Sequence, residues 1–494
     1  MSAHEDVGEL VPEGTFLRPD DSVRRFAGGT VLVGGSPLWL LKLGAQGARV
    51  FGRWVNGGEA LRRNAGEQRL ARRLLDAGLL HPESPRGRFT LADLTLVTPV
   101  KDNASGVHRL LEATDELSER IIVDDGSVEP LPEAALRHEK PLGPAAARNA
   151  GWQRVRTELI AFVDSDVVPE TGWLDAILPL FSDPEVAAVA PRIRSRPGDA
   201  PLERYEQDRS ALDLGSRPAP VRPMSRVSYV PGAALVVRRS ALAELGGFDT
   251  RLRFGEDVDL VWRLAASGHT VRYAPESVVW HDPRAGLLEW MRQRFEYGTS
   301  AASLSARHPG LLCCAKVSRW SALSWGLLAS GRPVTALATA AVTTALFPRA
   351  LRGRGIPATE ALRLAGVGHL GAGRILAEAT RRTWWPPALV AALFGGRARA
   401  VTSAVLLPCL IESAGKGPSW ALLRLLDDLS YGAGVWAGCL KERTIGPLRP
   451  QFTDDSLCRG SGRRLPASRS IGSKAGRTCD RSRSSQRYER VGAR

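Results

Sequence analysis

Three apolar runs constrain this chain more than any other feature. "LTLVTPV" (Leu94 to Val100), "RIIVDD" (Arg120 to Asp125) and "LIAFVDSD" (Leu159 to Asp166) each read as a buried strand. Helical stretches lie between and after them, such as Ala145 to Arg156 and Trp173 to Leu180. This alternation predicts an α/β domain over about residues 91–310, a mostly parallel sheet with flanking helices. Ligands of such sheets bind beyond the carboxyl ends of the strands. All three runs end there in polar residues: Lys101-Asp102-Asn103, Asp124-Asp125-Gly126-Ser127 and Asp164-Ser165-Asp166.

The two ends of the chain differ from this middle. Before about residue 90, "GGTVLVGGSPLWLLKL" predicts a hairpin: Thr30 to Val33, a Gly-Gly-Ser-Pro turn, then Leu38 to Leu43. "EQRLARRLLDAGLLHP" puts Leu70, Leu74, Leu75 and Leu79 on one helical face, with Gly78 near the stop. Strands and short helices in so few residues suggest a small winged-helix-like module over residues 1–90. "PESPRGRF" (Pro82 to Phe89) reads as a linker. Residues 311–450 read as an apolar helical region. Its two longest apolar stretches, Trp320 to Phe347 and Trp385 to Ile411, are broken by Arg332-Pro333 and by Arg397 and Arg399. The pieces run to about 15 residues where a spanning helix needs about 20, so a span, an interfacial helix and a buried hairpin all stay open.

The net charge of +15 invites a nucleic-acid or anionic-membrane partner. Its distribution weakens that reading. From Lys441 onward 14 Lys/Arg stand against 5 Asp/Glu, so this end carries nine of the fifteen charges. Residues 451–494 are rich in Ser, Gly and Arg without apolar period, and read as a disordered basic tail, a solvated end or a contact for acidic surfaces. The cysteines are Cys313, Cys314, Cys409, Cys439, Cys458 and Cys479. They form no C-x-x-C pair and no histidines cluster with them, so neither a zinc site nor a disulfide framework is indicated. The start, "MSAHEDVGELVPEG", is acidic and lacks the apolar core of a signal peptide. A reducing, cytoplasmic setting is the expectation.

The carboxylates at the strand ends carry the chemistry. Asp164 and Asp166 stand at i and i+2, so both can face one cleft. Held so close they repel unless a cation lies between them. Mg2+ or Mn2+ suits such a pair, completed by the oxygens of a substrate diphosphate. A turn capped by two acids before Pro169 is the plainer alternative. Asp124 can accept hydrogen bonds from a base or ribose. "GPAAARNAGW" places Arg148 where it can meet phosphate or the acids. "FGEDVDLVWRL" opens a helix with Glu256 and Asp257 in its first turn, favoured by the helix dipole or serving as a base. His281 follows the apolar "VVW", as a metal ligand or a satisfied core residue.

In order, "TPVKD", "VDDGS", "AARNAG", "FVDSD", "PGAALVVRRSAL…GGFD", "GEDVDL" and "VVWHDP" resemble the family 2 glycosyltransferases of GT-A fold, over about residues 92–300. The resemblance implies transfer of a sugar from a nucleotide-diphosphate donor with inversion at the anomeric carbon. Position by position, it puts Pro99 and Asp102 at the nucleobase, Asp124 on uracil or ribose and Arg148 on the nucleotide. Asp164 and Asp166 match the D-x-D pair, with Asp166 the direct ligand of Mg2+ or Mn2+. His281 matches a position that reaches the metal or diphosphate. Asp257 matches the catalytic base, and Arg292 and Arg294 would clamp the diphosphate. One departure bears on the product. Processive synthases carry Q-x-x-R-W where this chain has "RQRFEYG", so addition of one or a few sugars is expected.

The N-terminal "FLRPDDSVRRFAGGTVLVGGSPLWLLKL" and "LARRLLDAGLLHP", together with the transferase domain and the C-terminal helices, are similar to one subgroup, the mycofactocin-system glycosyltransferases of actinobacteria. That implies UDP-glucose as donor and the peptide-derived redox cofactor mycofactocin, or its precursor, as acceptor. The N-terminal module resembles peptide-recognition domains of the PqqD type, implying capture of that acceptor or a structural cap. Two other readings stay open. One keeps the chemistry but acts on a membrane lipid or cell-wall glycan at the inner face of the membrane. The other is a non-enzymatic binding or adaptor protein, which the acidic set argues against, and no nucleic-acid partner is expected. A dinucleotide oxidoreductase would need G-x-G-x-x-G after the first strand, where "TPVKDN" stands.

Overall fold

The structure, a computed structural model, describes residues 11–83, 87–284 and 286–453. The N-terminal unit contains β1 (Phe16–Pro19), β2 (Arg24–Phe26), β3 (Val31–Gly34), β4 (Trp39–Lys42), α1 (Ala45–Gly57), α2 (Ala65–Asp76) and β5 (Leu80–Glu83). The hairpin read from the sequence is present as β3 and β4, antiparallel, with β2 on the other side of β3. β1 pairs separately with β5. Asn64 caps α2 by accepting from the amides of Gly66 and Glu67. Leu74, Leu75 and Leu79 join Leu32, Phe51 and Trp54 in one small core, as the helical period requires.

The central domain holds β6 (Leu94–Val100), α3 (Ala104–Ala113), β7 (Arg120–Asp124), β8 (Leu136–Arg137), α4 (Pro144–Trp152), β9 (Leu159–Val163), β10 (Val167–Pro169) and β11 (Val186–Ser195). It continues through α5 (Pro201–Arg209), β12 (Ala219–Pro220), β13 (Ala234–Arg238), α6 (Arg239–Glu244), α7 (Glu256–Ala266) and β14 (Thr270–His281). Nine strands form one sheet in the order β10-β14-β11-β13-β9-β6-β7-β8, with β12 beside β14. The β9-β6-β7-β8 half is parallel, as the alternation predicts. β6 and β9 are buried at every residue because the sheet is covered on both faces. The other half is mixed, since β13 runs antiparallel to both β9 and β11. Trp173 to Leu180 is not the helix the apolar spacing suggested. Turns lead instead into a 3-10 helix at Leu178–Ser182, where Pro179 cannot continue an α-helical ladder. Trp173, Leu174 and Ile177 are buried all the same.

The last region contains α8 (Leu287–Arg307), β15 (Lys316–Ser318), α9 (Arg319–Ala329), α10 (Pro333–Ala350), α11 (Ala358–Arg382), α12 (Trp385–Phe394), α13 (Gly396–Ala404), α14 (Leu407–Ser413), α15 (Pro418–Lys441) and β16 (Gln451–Thr453). The two long apolar stretches are divided, the first at Pro333 and the second at Gly395 and again before Leu407. Among the described residues no helix is long and apolar enough to cross a membrane. Many of their apolar side chains nevertheless face outward, including Val334, Leu337, Leu393, Phe394 and Ile411. α8 and α15 pack unusually close: a Cβ on Gly298 would lie 2.1 Å from the carbonyl oxygen of Tyr431. Residues 451–453, read as the start of the tail, pair with β15 as a parallel strand. The rest of the tail lies outside the described residues, as do Cys458 and Cys479.

Candidate active site

The carboxyl edge of the parallel strands opens into a cavity of about 1560 Å3. Asp164 and Asp166 follow β9 and line it. Arg148, on α4 and almost fully buried, bridges two acids. It donates to Asp164 at 2.7 Å and to Glu256 at 2.7 Å. Asp164 is therefore drawn toward the guanidinium. Asp166 turns the other way, 3.5 Å from Nε2 of His281 and 3.5 Å from Arg284. Sheet register makes the second pair: β10 runs antiparallel to β14 with Val167 opposite His281. Burial would discharge both groups, but their mutual attraction wins. The Asp166 carboxyl is held below its usual range and the His281 imidazole is held above its own.

Among the described residues no three His, Cys, Asp or Glu side chains stand together as a metal cage. Of the predicted trio, Asp164 is ion-paired with Arg148, while Asp166 stands beside His281. Asp164, Asp166 and His281 all line the cavity, with Asp166 and His281 paired to each other. That donor set fits an octahedral divalent ion that keeps waters and takes its other ligands from a diphosphate.

Asp257 stands in the first turn of α7 and lines the same cavity. Its carboxylate accepts from the amide of Gly232 at 2.7 Å and from that of Val258 at 2.8 Å. Gly232 leaves no room for a side chain, since a Cβ there would lie 3.0 Å from Cβ of Asp257. Glu256 is buried and its carboxyl is pushed up to about 7, by desolvation first and then by the charge of Asp257, against the pull of Arg148. Glu256 is also ion-paired with Arg148, whereas Asp257 is only half-buried and held by backbone amides.

Pro99 and Asp102 line the cavity. Asp124 does not. It is fully buried, accepts from the amide of Ser127 at 2.8 Å and is ion-paired with Arg137. Its work is to fold the loop after β7. The neighbouring Asp125 lines the cavity instead, where it accepts from the amides of Leu142 and Gly143. The doublet "VDD" was the available signal, and strand alternation decided which acid faces in. The arginine clamp is also corrected. Arg292 is exposed and pairs with Glu296 on its own helix. Arg294 lines the cavity, but its guanidinium is buried against Glu206 and lies 3.3 Å from Asp427.

Opposite the strand ends, the C-terminal region supplies a wall that the motifs did not foretell. Tyr229 and Tyr297 are joined there by Arg382 of α11 and Tyr431 of α15. Arg382 stacks on Tyr431 with 3.8 Å from guanidinium carbon to ring centre. The Tyr229 hydroxyl is pushed up to about 12, by burial first and then by the charges of Tyr431 and Asp257. It stays a neutral hydrogen-bonding group at any working pH. Asp257 thus lies between a wall of acids and a wall of phenols.

The family model "Glycosyl transferase family 2" matches residues 103–246. The pre-mycofactocin glycosyltransferase of Mycobacterium tuberculosis is 41% identical over 472 residues, covering 90% of this chain and 98% of that one. Glycosyltransferase AglE of Haloferax volcanii is 24% identical over 229 residues, covering 42% of this chain and 73% of the relative. Among solved structures, a mannosyltransferase from Pyrobaculum calidifontis in complex with GDP-Man and Mn2+ aligns at TM-score 0.40 and 17% identity. That alignment covers 71% of this chain and 87% of the other. The central domain, a mixed sheet with flanking helices within the matched family, has the GT-A fold. With its acidic strand ends on one cavity and a relative matched over nearly its whole length, this chain belongs to glycosyltransferase family 2, and the pre-mycofactocin glycosyltransferase is among its relatives.

Proposed function

We propose that this chain transfers glucose from UDP-glucose, with inversion, to mycofactocin's peptide-derived precursor. The observation that carries this reading is the placement of Asp257 and the Asp166–His281 pair on one cavity. The named activity of the relative that is 41% identical supports the acceptor. In this reading Asp257 takes the proton of an acceptor hydroxyl while that oxygen bonds to the anomeric carbon. The bond from that carbon to the UDP oxygen breaks on the opposite face, so the configuration inverts. Asp166 and His281 would hold Mg2+ or Mn2+, which when bound offsets the charge of the departing diphosphate. Pro99, Asp102 and Asp125 hold the nucleoside side. Arg148 keeps Asp164 and Glu256 in place between donor and base. Tyr229, Tyr297, Tyr431 and Arg382 receive the acceptor, and the N-terminal unit grips its peptide part.

The test is a transfer assay with the full chain, UDP-glucose, Mn2+ and the mycofactocin precursor, read by mass. A gain of one or more hexoses that disappears with EDTA is the expected result. Hydrolysis of UDP-glucose without transfer to that acceptor would overturn the acceptor assignment. A gain that survives EDTA would remove the metal.

A second reading concerns place. The outward apolar residues of α10, α12 and α14 suit an enzyme lying on the inner face of the cell membrane. The free thiols Cys313, Cys314, Cys409 and Cys439 suit a reducing, cytoplasmic compartment. Co-sedimentation with anionic vesicles that persists after residues 454–494 are removed is the expected outcome. Loss of binding on that truncation would assign it to the tail.

A further inference from the structure

A second cavity, of about 390 Å3, lies where the N-terminal unit meets the central domain. β1 and β5 form one side and β14 the other. It is far from the catalytic cavity. Arg272 lies near the start of β14 and His281 at its end, so about nine residues, roughly 30 Å of strand, separate the two sites.

Arg272 lines this cavity and is only 5% exposed. Among the described residues its guanidinium makes no hydrogen bond and no ion pair. The charged groups that face it are Asp183, Asp76, Arg72 and Arg222. The two acids are already taken. Arg72 holds Asp183 with two bonds of 2.9 Å, and Arg222 lies 3.4 Å from Asp76. The other cation on the cavity, Arg18, is matched by Glu83 at 3.1 Å and Glu276 at 3.4 Å. His81 is held through Nε2 by Asp20 at 3.0 Å, while its Nδ1 has no partner.

Asp183 and Asp76 attract Arg272 only from a distance, and a buried guanidinium whose donors have no bonded partner is costly. An apolar residue at this place would be easier to keep. The cost is offset when a ligand brings the missing anion, because arginine and carboxylate pair through two parallel bonds. The surrounding acids narrow the ligand. Glu83, Glu276 and Asp175 line the same space, partly offset by Arg18, so a phosphate dianion is disfavoured more than a singly charged carboxylate. Phe16, Pro179, Leu180 and Tyr273 give the remaining wall an apolar character. We propose that Arg272 is the anchor of a second binding site, which takes a peptide carboxylate flanked by an apolar side chain. The site stands on these residues alone and needs neither the donor nor the acceptor assigned above.

The experiment uses the full chain without donor and follows N-acetyl-Ala-Leu by isothermal titration or ligand-detected NMR. The free acid should bind, and its C-terminal amide should bind at least tenfold more weakly. Arg272→Met should abolish binding of the acid, while Arg272→Lys retains part of it. Arg272→Met should also raise the melting temperature, because it removes an unpaired buried charge, and it should leave UDP affinity unchanged. Equal binding of acid and amide, or tighter binding of inorganic phosphate, would overturn the carboxylate assignment. A lower melting temperature in Arg272→Met would make the residue structural and overturn the site.

Discussion

The two walls of the catalytic cavity are built by different means. The wall proposed for the donor is the carboxyl edge of a sheet. Each of its groups sits where a strand ends, so a few consecutive residues place it: Asp102 after β6, Asp125 after β7, Asp166 after β9. The wall proposed for the acceptor is assembled from helices far apart in the chain. Glycines at 298 and 434 let α8 and α15 nearly touch, which brings Tyr297 to Tyr431, and Gly432 lets the end of α11 bring Arg382 against α15. Short-range rules write the first wall, and long-range packing writes the second. The first suits a donor shared across a family, and the second suits an acceptor particular to this chain.

Three substitutions would break or sharpen that contrast. The largest effect belongs to the residue between the walls. Asp257→Asn should lower the transfer rate by about 10^3-fold, the scale of a lost general base, while Kd for UDP with Mn2+ stays within about twofold. Normal turnover by that variant would move the base elsewhere. Next, Tyr431→Ala removes the ring under Arg382. It should raise the acceptor KM by about tenfold, near 1.4 kcal/mol, and leave UDP affinity alone. If UDP binding weakens instead, the division into donor and acceptor walls fails.

The smallest effect is in pH dependence. The Glu256 carboxyl is near 7 in the folded protein against an ordinary 4.5. The native state therefore binds the extra proton between those values, and stability falls as pH rises through that window. Glu256→Gln should flatten this part of the curve of Tm against pH. An unchanged slope would assign the titration to another group.

The order of legibility follows the same physics. The strands 94–100, 120–124 and 159–163 could be read directly, since fully buried strands are continuous apolar runs. Asp164, Asp166 and Asp257 were found because their motifs are local. Asp124 was chosen where Asp125 faces the cavity, a matter of which side one residue of a strand presents. Arg292 and Arg294 were read as a clamp, but they pair with Glu296 on α8, Glu206 on α5 and Asp427 on α15, and no motif specifies how those helices pack.

By itself the sequence determined the strands β6, β7 and β9, their open carboxyl edge and the acidic residues there. Periodicity and strand ends are properties of neighbouring residues. Tertiary structure alone decided that Arg148 would pair with Asp164, that His281 would stand beside Asp166, and that α11 and α15 would line the cavity. Each of these joins residues tens to hundreds of positions apart or turns on side-chain direction. Such contacts depend on sheet register and helix packing, which are set only when the whole chain is folded.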